Sequence, residues 1–260
     1  MALSFRTLWL ADIHLGNPAA RADDLLAFLD NVSCERLYLA GDIIDLQRMK
    51  SRPAFPESHR EAVKRFLTLS FGGTKVTYIP GNHDHEFREL AGRELCGIPV
   101  MLECEHVTAT GQRLLVTHGD ILDREIRKGT NLEQFGAAAY AVLLALDVRI
   151  NDVRNRLGQD HRSIMSGIKS RLASANEYIR RFEEVAASYA KRRDFAGIVC
   201  GHIHRPGIRT IGGVCYANDG DWVEHRTALA ETQSGKLRIL RWANGKVQLG
   251  PSLTERPLAA

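Results

Sequence analysis

Short apolar runs that stop abruptly on Asp, Asn, His or Gly set the rhythm of the chain. Residues 5–11 are mostly apolar and end at Asp12; residues 36–40 end at Gly41-Asp42; residues 75–79 end at Pro80-Gly81-Asn82. Each run has the length of a buried strand. Between them, residues 21–31 place Leu25, Phe28 and Leu29 on one helical face, and residues 57–71 do the same with Ala62, Phe66 and Leu69. Alternating strand, polar loop and helix predicts the α/β class, with a sheet covered on both faces. After Gly97-Ile98-Pro99 the pattern changes to strands, at 100–102 and 113–117. Residues 131–191 then read as almost continuous helix. Leu132, Phe135, Ala139, Leu143, Leu146, Ile150 and Val153 recur every three to four positions, and Ile164, Ile168, Leu172, Ile179 and Phe182 suggest a second helix. A strand returns at 197–200, and a β-rich tail carries hairpin signals at Gly212-Gly213 and Ser234-Gly235. The organisation expected is a core domain of residues 1–122 and 195–260, interrupted by a helical insertion of residues 123–194.

With 260 residues, 44% of them hydrophobic, the chain can bury one good core together with such an insertion. The net charge of +4 suits an anionic substrate or an anionic membrane surface, and is too small by itself to argue for nucleic acid, so no nucleic-acid partner is expected. The insertion holds 14 Lys or Arg against 10 Asp or Glu, a surplus equal to the charge of the whole chain. Five cysteines without CxxC spacing read as free thiols in a reducing compartment. No basic segment precedes an apolar stretch at the N-terminus, so no secretory signal is read there. The longest apolar run, residues 137–146, is about half of what a bilayer span needs. A cytoplasmic protein is expected, with membrane contact limited to the cytoplasmic face of the inner membrane.

The candidate chemistry lies at the strand ends. Asp12-Ile13-His14, Gly41-Asp42, Gly81-Asn82-His83-Asp84, His118-Gly119-Asp120 and Gly201-His202-Ile203-His204 each follow an apolar run, and strand ends are where α/β sheets hold their sites. Several carboxylates, an amide and several imidazoles suit borderline divalent ions such as Mn²⁺, Fe²⁺ or Zn²⁺. Residues i and i+2 share a face in a strand, so Asp12 with His14, and His202 with His204, are expected to reach one site. A carboxylate between two ions about 4 Å apart can bridge them, and such a pair clamps the oxygens of a phosphoryl transfer. Asp120 and Asp221 follow glycines and fit turn-shaping as well as a site role.

The order D-x-H, G-D, G-N-H-D, H-G-D, G-H-x-H resembles the calcineurin-like metallophosphoesterases, and the resemblance runs from Phe5 to about Trp222. It implies their fold, a β-sandwich flanked by helices in four αββα layers, here with a helical lid insertion. It implies two divalent ions, with Mn²⁺ foremost and Fe²⁺, Zn²⁺ or Mg²⁺ as other occupants, and hydrolysis of a phosphoester or pyrophosphate by a metal-bridged hydroxide. Carried over residue by residue, Asp12, His14 and His204 match the ligands of one metal. Asp42 matches the bridging aspartate, and Asn82, His118 and His202 match the ligands of the second metal. His83 matches the histidine that meets the leaving group or scissile phosphate, with Asp84 expected to orient it by accepting its other ring N–H.

The insertion between HGD and GHxH, followed by Gly201-His202-Ile203-His204-Arg205-Pro206 and Gly220-Asp221-Trp222, resembles the layout of the UDP-2,3-diacylglucosamine diphosphatases. Those enzymes release UMP from a lipid-linked nucleotide sugar, and their helical lid receives acyl chains. The likeness would make residues 137–146 an apolar wall, or simply helix packing, and Arg149, Arg154, Arg156, Lys169, Arg171 and Arg205 candidate contacts to substrate. The chain departs from that group at His83, where they carry arginine, and is read as a sister group. Two other functions compete: a soluble phosphodiesterase or phosphatase acting on a small nucleotide or phosphoprotein, and a non-catalytic metal-binding scaffold. Scaffold relatives typically lose a ligand, whereas this chain retains the full motif set.

Overall fold

The structure, a computed structural model, describes residues 2–128 and 165–252. At 127–128, 165–174 and 251–252 the description covers the backbone only. By its internal contacts the chain divides into two compact units, Met1–Ile121 with Ala186–Ala260, and Leu122–Val185.

Thirteen strands and five α-helices are described. The strands are β1 (Leu3–Leu10), β2 (Val32–Leu39), β3 (Lys75–Tyr78), β4 (Glu94–Leu95), β5 (Ile98–Pro99), β6 (Glu103–Val107), β7 (Arg113–Thr117), β8 (Gly197–Cys200), β9 (Gly207–Ile211), β10 (Val214–Asn218), β11 (Thr227–Glu231), β12 (Leu237–Ala243) and β13 (Lys246–Ser252). The helices are α1 (Ala22–Asp30), α2 (Leu46–Ser51), α3 (Glu57–Phe71), α4 (Asp123–Lys128) and α5 (Met165–Lys191); 3₁₀ turns lie at His85–Leu90 and Asp120–Leu122.

In the larger unit, one sheet has the order β13-β12-β11-β1-β2-β3 and a second the order β6-β7-β8-β10-β9. β1, β2 and β3 are mutually parallel, as are β7, β8 and β10, with antiparallel strands at the flanks. The inner faces meet in a core of Trp9, Tyr38, Leu229 and Ile239 from the first sheet and Leu114, Val116, Val199, Ile208 and Ala217 from the second. The outer face of the first sheet is covered by α1 and α3 through Leu25, Phe28, Ala62 and Phe66. α1 carries Asp23 and Asp24 in its first turn, and α3 begins after Pro56 with Glu57, as the helix dipole and a preset φ favour. The last turns of α5 complete a fourth layer: Ala186 and Ala190 are buried, Tyr189 Oη donates to Glu103 on β6, and Lys191 Nζ donates to the Gly212 carbonyl in the β9–β10 turn. The four-layer αββα sandwich expected from the resemblance is the fold observed.

Two local readings are corrected, and one hairpin is added. Residues 100–102 do not form a strand; Met101 and Leu102 are largely exposed, and the strand is β6, whose alternating Glu103-Cys104-Glu105-His106 conceals it in a hydropathy reading. β2 begins at Val32, where backbone pairing with β1 extends a strand through a polar start. The β12–β13 hairpin turns on Asn244-Gly245, both at positive φ as a type I′ turn requires.

In the smaller unit, Tyr178 Oη donates to Asp123 at 2.6 Å, and Arg180 pairs with Glu177 and Glu184 along an exposed face of α5. The first amphipathic stretch of the insertion, its apolar run 137–146, and Arg149, Arg154 and Arg156 lie outside the described residues. The side chains of Lys169 and Arg171 do so as well.

Candidate active site

The parallel strands of both sheets deliver their C-terminal ends to one edge of the sandwich. Asp12 and His14 follow β1, Asp42 follows β2, Asn82 and His83 follow β3, His118 follows β7, and His202 and His204 follow β8. The loops are stitched to each other by backbone bonds: Asp12 N–H to Gly41 O, His14 N–H to Asp42 O, Gly201 N–H to His118 O and Trp222 N–H to Asp12 O. Trp222 is fully buried against Phe28, so the Gly220-Asp221-Trp222 motif props the backbone of Asp12.

The i, i+2 pairs converge for a different reason from the one read in the sequence. Asp12 and His14 lie beyond β1, and His202 and His204 beyond β8. Asp12, His14, Asp42, His202 and His204 all have φ between 50° and 70°, in the left-handed region. Such a conformation costs a non-glycine residue roughly 1–3 kcal/mol and clusters at functional sites. Asp and His tolerate it better than most. Glycines supply the remaining space. A Cβ on Gly41 would fall 2.2 Å from His118 Nδ1, and one on Gly81 would fall 2.2 Å from Asp42 Oδ1.

Three groups of side chains result, each with ligand atoms within 4.8 Å of one another: Asp12, His14 and His204; Asp12, Asp42 and His118; and His14, Asp45 and His83. Asp12 Oδ2 is occupied by the His202 amide, while Oδ1 has no hydrogen bond and faces His204 Nε2 at 3.1 Å and His14 Nε2 at 3.8 Å. Asp42 Oδ2 lies 3.9 Å from His14 Nε2 and 3.4 Å from His118 Nε2, so it faces an imidazole on either side. His118 Nδ1 faces the Ala40 carbonyl at 2.9 Å, which assigns the proton to Nδ1 and leaves Nε2 as a lone-pair donor. Asn82 Oδ1 lies 3.3 Å from that Nε2, and the His202 ring packs edge-on to His118 at 5.3 Å.

Buried acceptors facing one another need a cation between them, and the electrostatics agree. Burial pushes the Asp42 carboxyl up, but His118, His14 and His83 outweigh it and hold it well below the usual range. Asp12 is likewise lowered by His204 and His118 against its burial. Burial lowers His118, yet Asp42, Asp12 and Asp120 carry it well above its usual value; His204 is raised to about 9, chiefly by Asp12. A pocket that raises imidazole basicity against desolvation has a strong negative potential, and divalent cations answer the same field. Hard carboxylate oxygens with imidazole nitrogens fit borderline divalent ions.

Asp45 was absent from the sequence reading. It caps α2 by accepting from the Arg48 amide, receives Asn17 Nδ2, and bonds His83 Nδ1 at 2.9 Å. His14 Nδ1 stands 3.6 Å away on its other side. The signal available was its position three residues after Asp42, at a helix start. Burial depresses His83, but the Asp45 bond and the Asp42, Asp45 and Asp12 charges raise it overall. Asp84, expected to orient His83, does something else. Its carboxylate accepts from the amides of Asp42, Ile43, Ile44 and Gly81 and from Tyr78 Oη, tying the Gly41-Asp42 and Gly81-Asn82 loops together. It lies under the loop, where four convergent amides claim it. Asp120 takes a two-pronged bond from Arg88, and Asp221 caps the turn at Val223–His225. Arg205 is exposed next to His204.

The family model described as calcineurin-like phosphoesterase matches residues 5–206. Curated relatives named UDP-2,3-diacylglucosamine hydrolase include one from Edwardsiella ictaluri, 26% identical over 78% of this chain and 77% of its own length. Another, from Xanthomonas campestris pv. campestris, is 26% identical over 88% of this chain and 96% of its own length. Among solved structures, the chain is similar to Yfce, a phosphoesterase from E. coli, at 16% identity and a TM-score of 0.49, covering 93% of this chain and 95% of that one. The match over residues 5–206 takes in all five polar clusters, so the chain belongs to the calcineurin-like phosphoesterase family and is a metal-dependent phosphoesterase.

Proposed function

We propose that the protein is a dinuclear hydrolase that cleaves the pyrophosphate of a lipid-linked nucleotide sugar of the UDP-2,3-diacylglucosamine type, releasing UMP. The observation that carries the dinuclear reading is Asp42 Oδ2, placed between the imidazoles of His14 and His118. Asp12, His14 and His204 would hold one ion, Asn82, His118 and His202 the other, and Asp42 both. When bound, the ions supply Lewis-acid neutralisation of phosphate oxygens and an acidified water as nucleophile. The protein's own part is orientation and proton handling. His83 is half-buried, held through Nδ1 by Asp45, and so keeps Nε2 for the leaving oxygen of an in-line displacement. The substrate class is supported by the curated relatives, which match at 26% identity along nearly their full length in one case.

We place the enzyme in the cytoplasm, in peripheral contact with the inner membrane, and assign the basic insertion of residues 123–194 a lid role over the lipid. A basic amphipathic segment suits an anionic membrane surface. Mn²⁺ is the metal we would supply first.

His83, in place of the arginine of the lipid A diphosphatases, favours a second reading, a soluble phosphodiesterase on a small nucleotide. One assay separates the two. With Mn²⁺, UDP-2,3-diacylglucosamine in detergent is compared with bis(p-nitrophenyl) phosphate, each with and without chelator. The expected result is chelator-sensitive UMP release far exceeding turnover of the small diester. Turnover of the small diester alone would overturn the lipid substrate and leave the metal chemistry standing.

A further inference from the structure

Outside the ligand sets, one buried histidine has no part in the chemistry so far described. His59, on α3, is only 4% exposed. Its Nδ1 accepts from the backbone N–H of Gly16 at 2.7 Å, and the edge of its ring meets Phe55 at 5.7 Å. Gly16 lies two residues beyond His14, in the loop that presents Asp12 and His14. The loop has other anchors: His14 N–H to Asp42 O, Leu15 N–H to Ile43 O, Asp45 N–H to Leu15 O, and Asn17 Nδ2 to Asp45. The His59 bond is the anchor that comes from a helix on the outer layer.

We infer that His59 is a positioning residue for the first metal: through the Gly16 amide it holds the 14–17 loop in the conformation that aims His14 at Asp12 and Asp42. This rests on the reading of Asp12 and His14 as metal ligands. Only a neutral ring with its proton on Nε2 can do this, since Nδ1 must accept. An imidazolium would set N–H against N–H and release the loop. The surroundings favour the neutral form. Burial pulls His59 below its usual value, and Asp23, the charged group facing it from α1, opposes this without reversing it. Asparagine can place its side-chain oxygen about where Nδ1 lies, so His59→Asn keeps an acceptor at that point while His59→Ala does not.

Two measurements test the inference. In calorimetric titration of the metal-free protein with Mn²⁺, His59→Ala is expected to weaken binding at the tighter site about tenfold, the loss typical of removing a partner that supports a ligand. His59→Asn should stay within about threefold of wild type. In the metal-free protein, the ¹H–¹⁵N resonance of Gly16 should follow an imidazole titration with a midpoint below 6.5 and show no such titration in His59→Asn. Equal Mn²⁺ affinity for wild type and both variants, with lowered melting temperatures in both, would reduce His59 to packing and overturn the proposal. A Gly16 resonance indifferent to pH would overturn it as well. Failure of the wild type to bind Mn²⁺ would sink the metal-ligand reading instead, and the Gly16 titration would still decide the role of His59.

Discussion

Asp42 concentrates the demands on this site. Its Oδ1 accepts the His83 amide at 2.7 Å, and its Oδ2 stands between His14 and His118. It is 2% exposed, and against that burial the surrounding imidazoles of His118, His14 and His83 hold its carboxyl well below the usual range. Removing it would take away the carboxylate that His14 and His118 both face and free the loop that carries His83. Asp42→Ala and His118→Ala are each expected to lower turnover of bis(p-nitrophenyl) phosphate by at least about a hundredfold, the order of effect of losing a catalytic charge. Metal content per chain should fall in parallel. A variant with near-normal turnover and metal content would remove that residue from the site.

Loops after parallel strands make the site, and their geometry is set by left-handed turns and absent side chains. Five strained Asp and His residues are held by cross-loop backbone bonds and by the Asp84 carboxylate beneath. The Pro80-Gly81-Asn82 loop can approach the Gly41-Asp42 loop only because Gly81 has no Cβ. Its hypothetical Cβ meets Asp42 Oδ1 at 2.2 Å, Asp42 N at 2.6 Å and His118 Cδ2 at 2.8 Å. Gly81→Ala should therefore cost about 1–3 kcal/mol, as overpacking does, and displace Asp42 and His118 at once. The expected readout is a lower melting temperature together with reduced Mn²⁺ stoichiometry. Full metal loading with only a small drop in melting temperature would show that the loops can separate.

The two sheets are joined away from the metal edge by a buried polar network. Glu231 on β11 accepts from Arg6 and Thr7 on β1 and from the Ala109 amide, and pairs with His106 of β6 at 2.9 Å. Trp9 stacks on Tyr38 beside it. Burial raises Glu231, but His106, the Ala109 amide and Arg6 outweigh it and bring its pKa down to about 2, from an ordinary 4.5. A carboxyl depressed in the folded state stabilises above its unfolded pKa. That contribution is complete above about pH 4.5 and fades as pH falls toward 2. Glu231→Gln is expected to lower stability at pH 7 by about 3 kcal/mol, since it leaves Arg6 without its charge partner and takes the carboxylate from His106 Nε2 in a buried setting. Urea unfolding across pH 2–7 would show the loss, with a flatter acid dependence in the variant. Matching curves for both proteins would contradict it.

Hydrophobic rhythm alone placed α1, α3, β7 and β8 within a residue or so, because those elements bury a regular stripe or an unbroken run. The polar residues that meet at the site were legible too, since each cluster stands directly after such a run. Asp45 was not legible. Its local role is an ordinary helix cap, and only the approach of His83 from a loop thirty-eight positions away gives it a partner. Asp84 was misread for the converse reason: adjacency to His83 in sequence suggested a bond, while four amides from two loops captured its carboxylate. The amino-acid order thus determined the elements, their sequence of polar endings and the metal chemistry, all of which depend on local periodicity and residue type. Tertiary structure decided which atom of each ligand faces the site, through left-handed turns and cross-loop hydrogen bonds that form only when both sheets bring their strand ends to one edge.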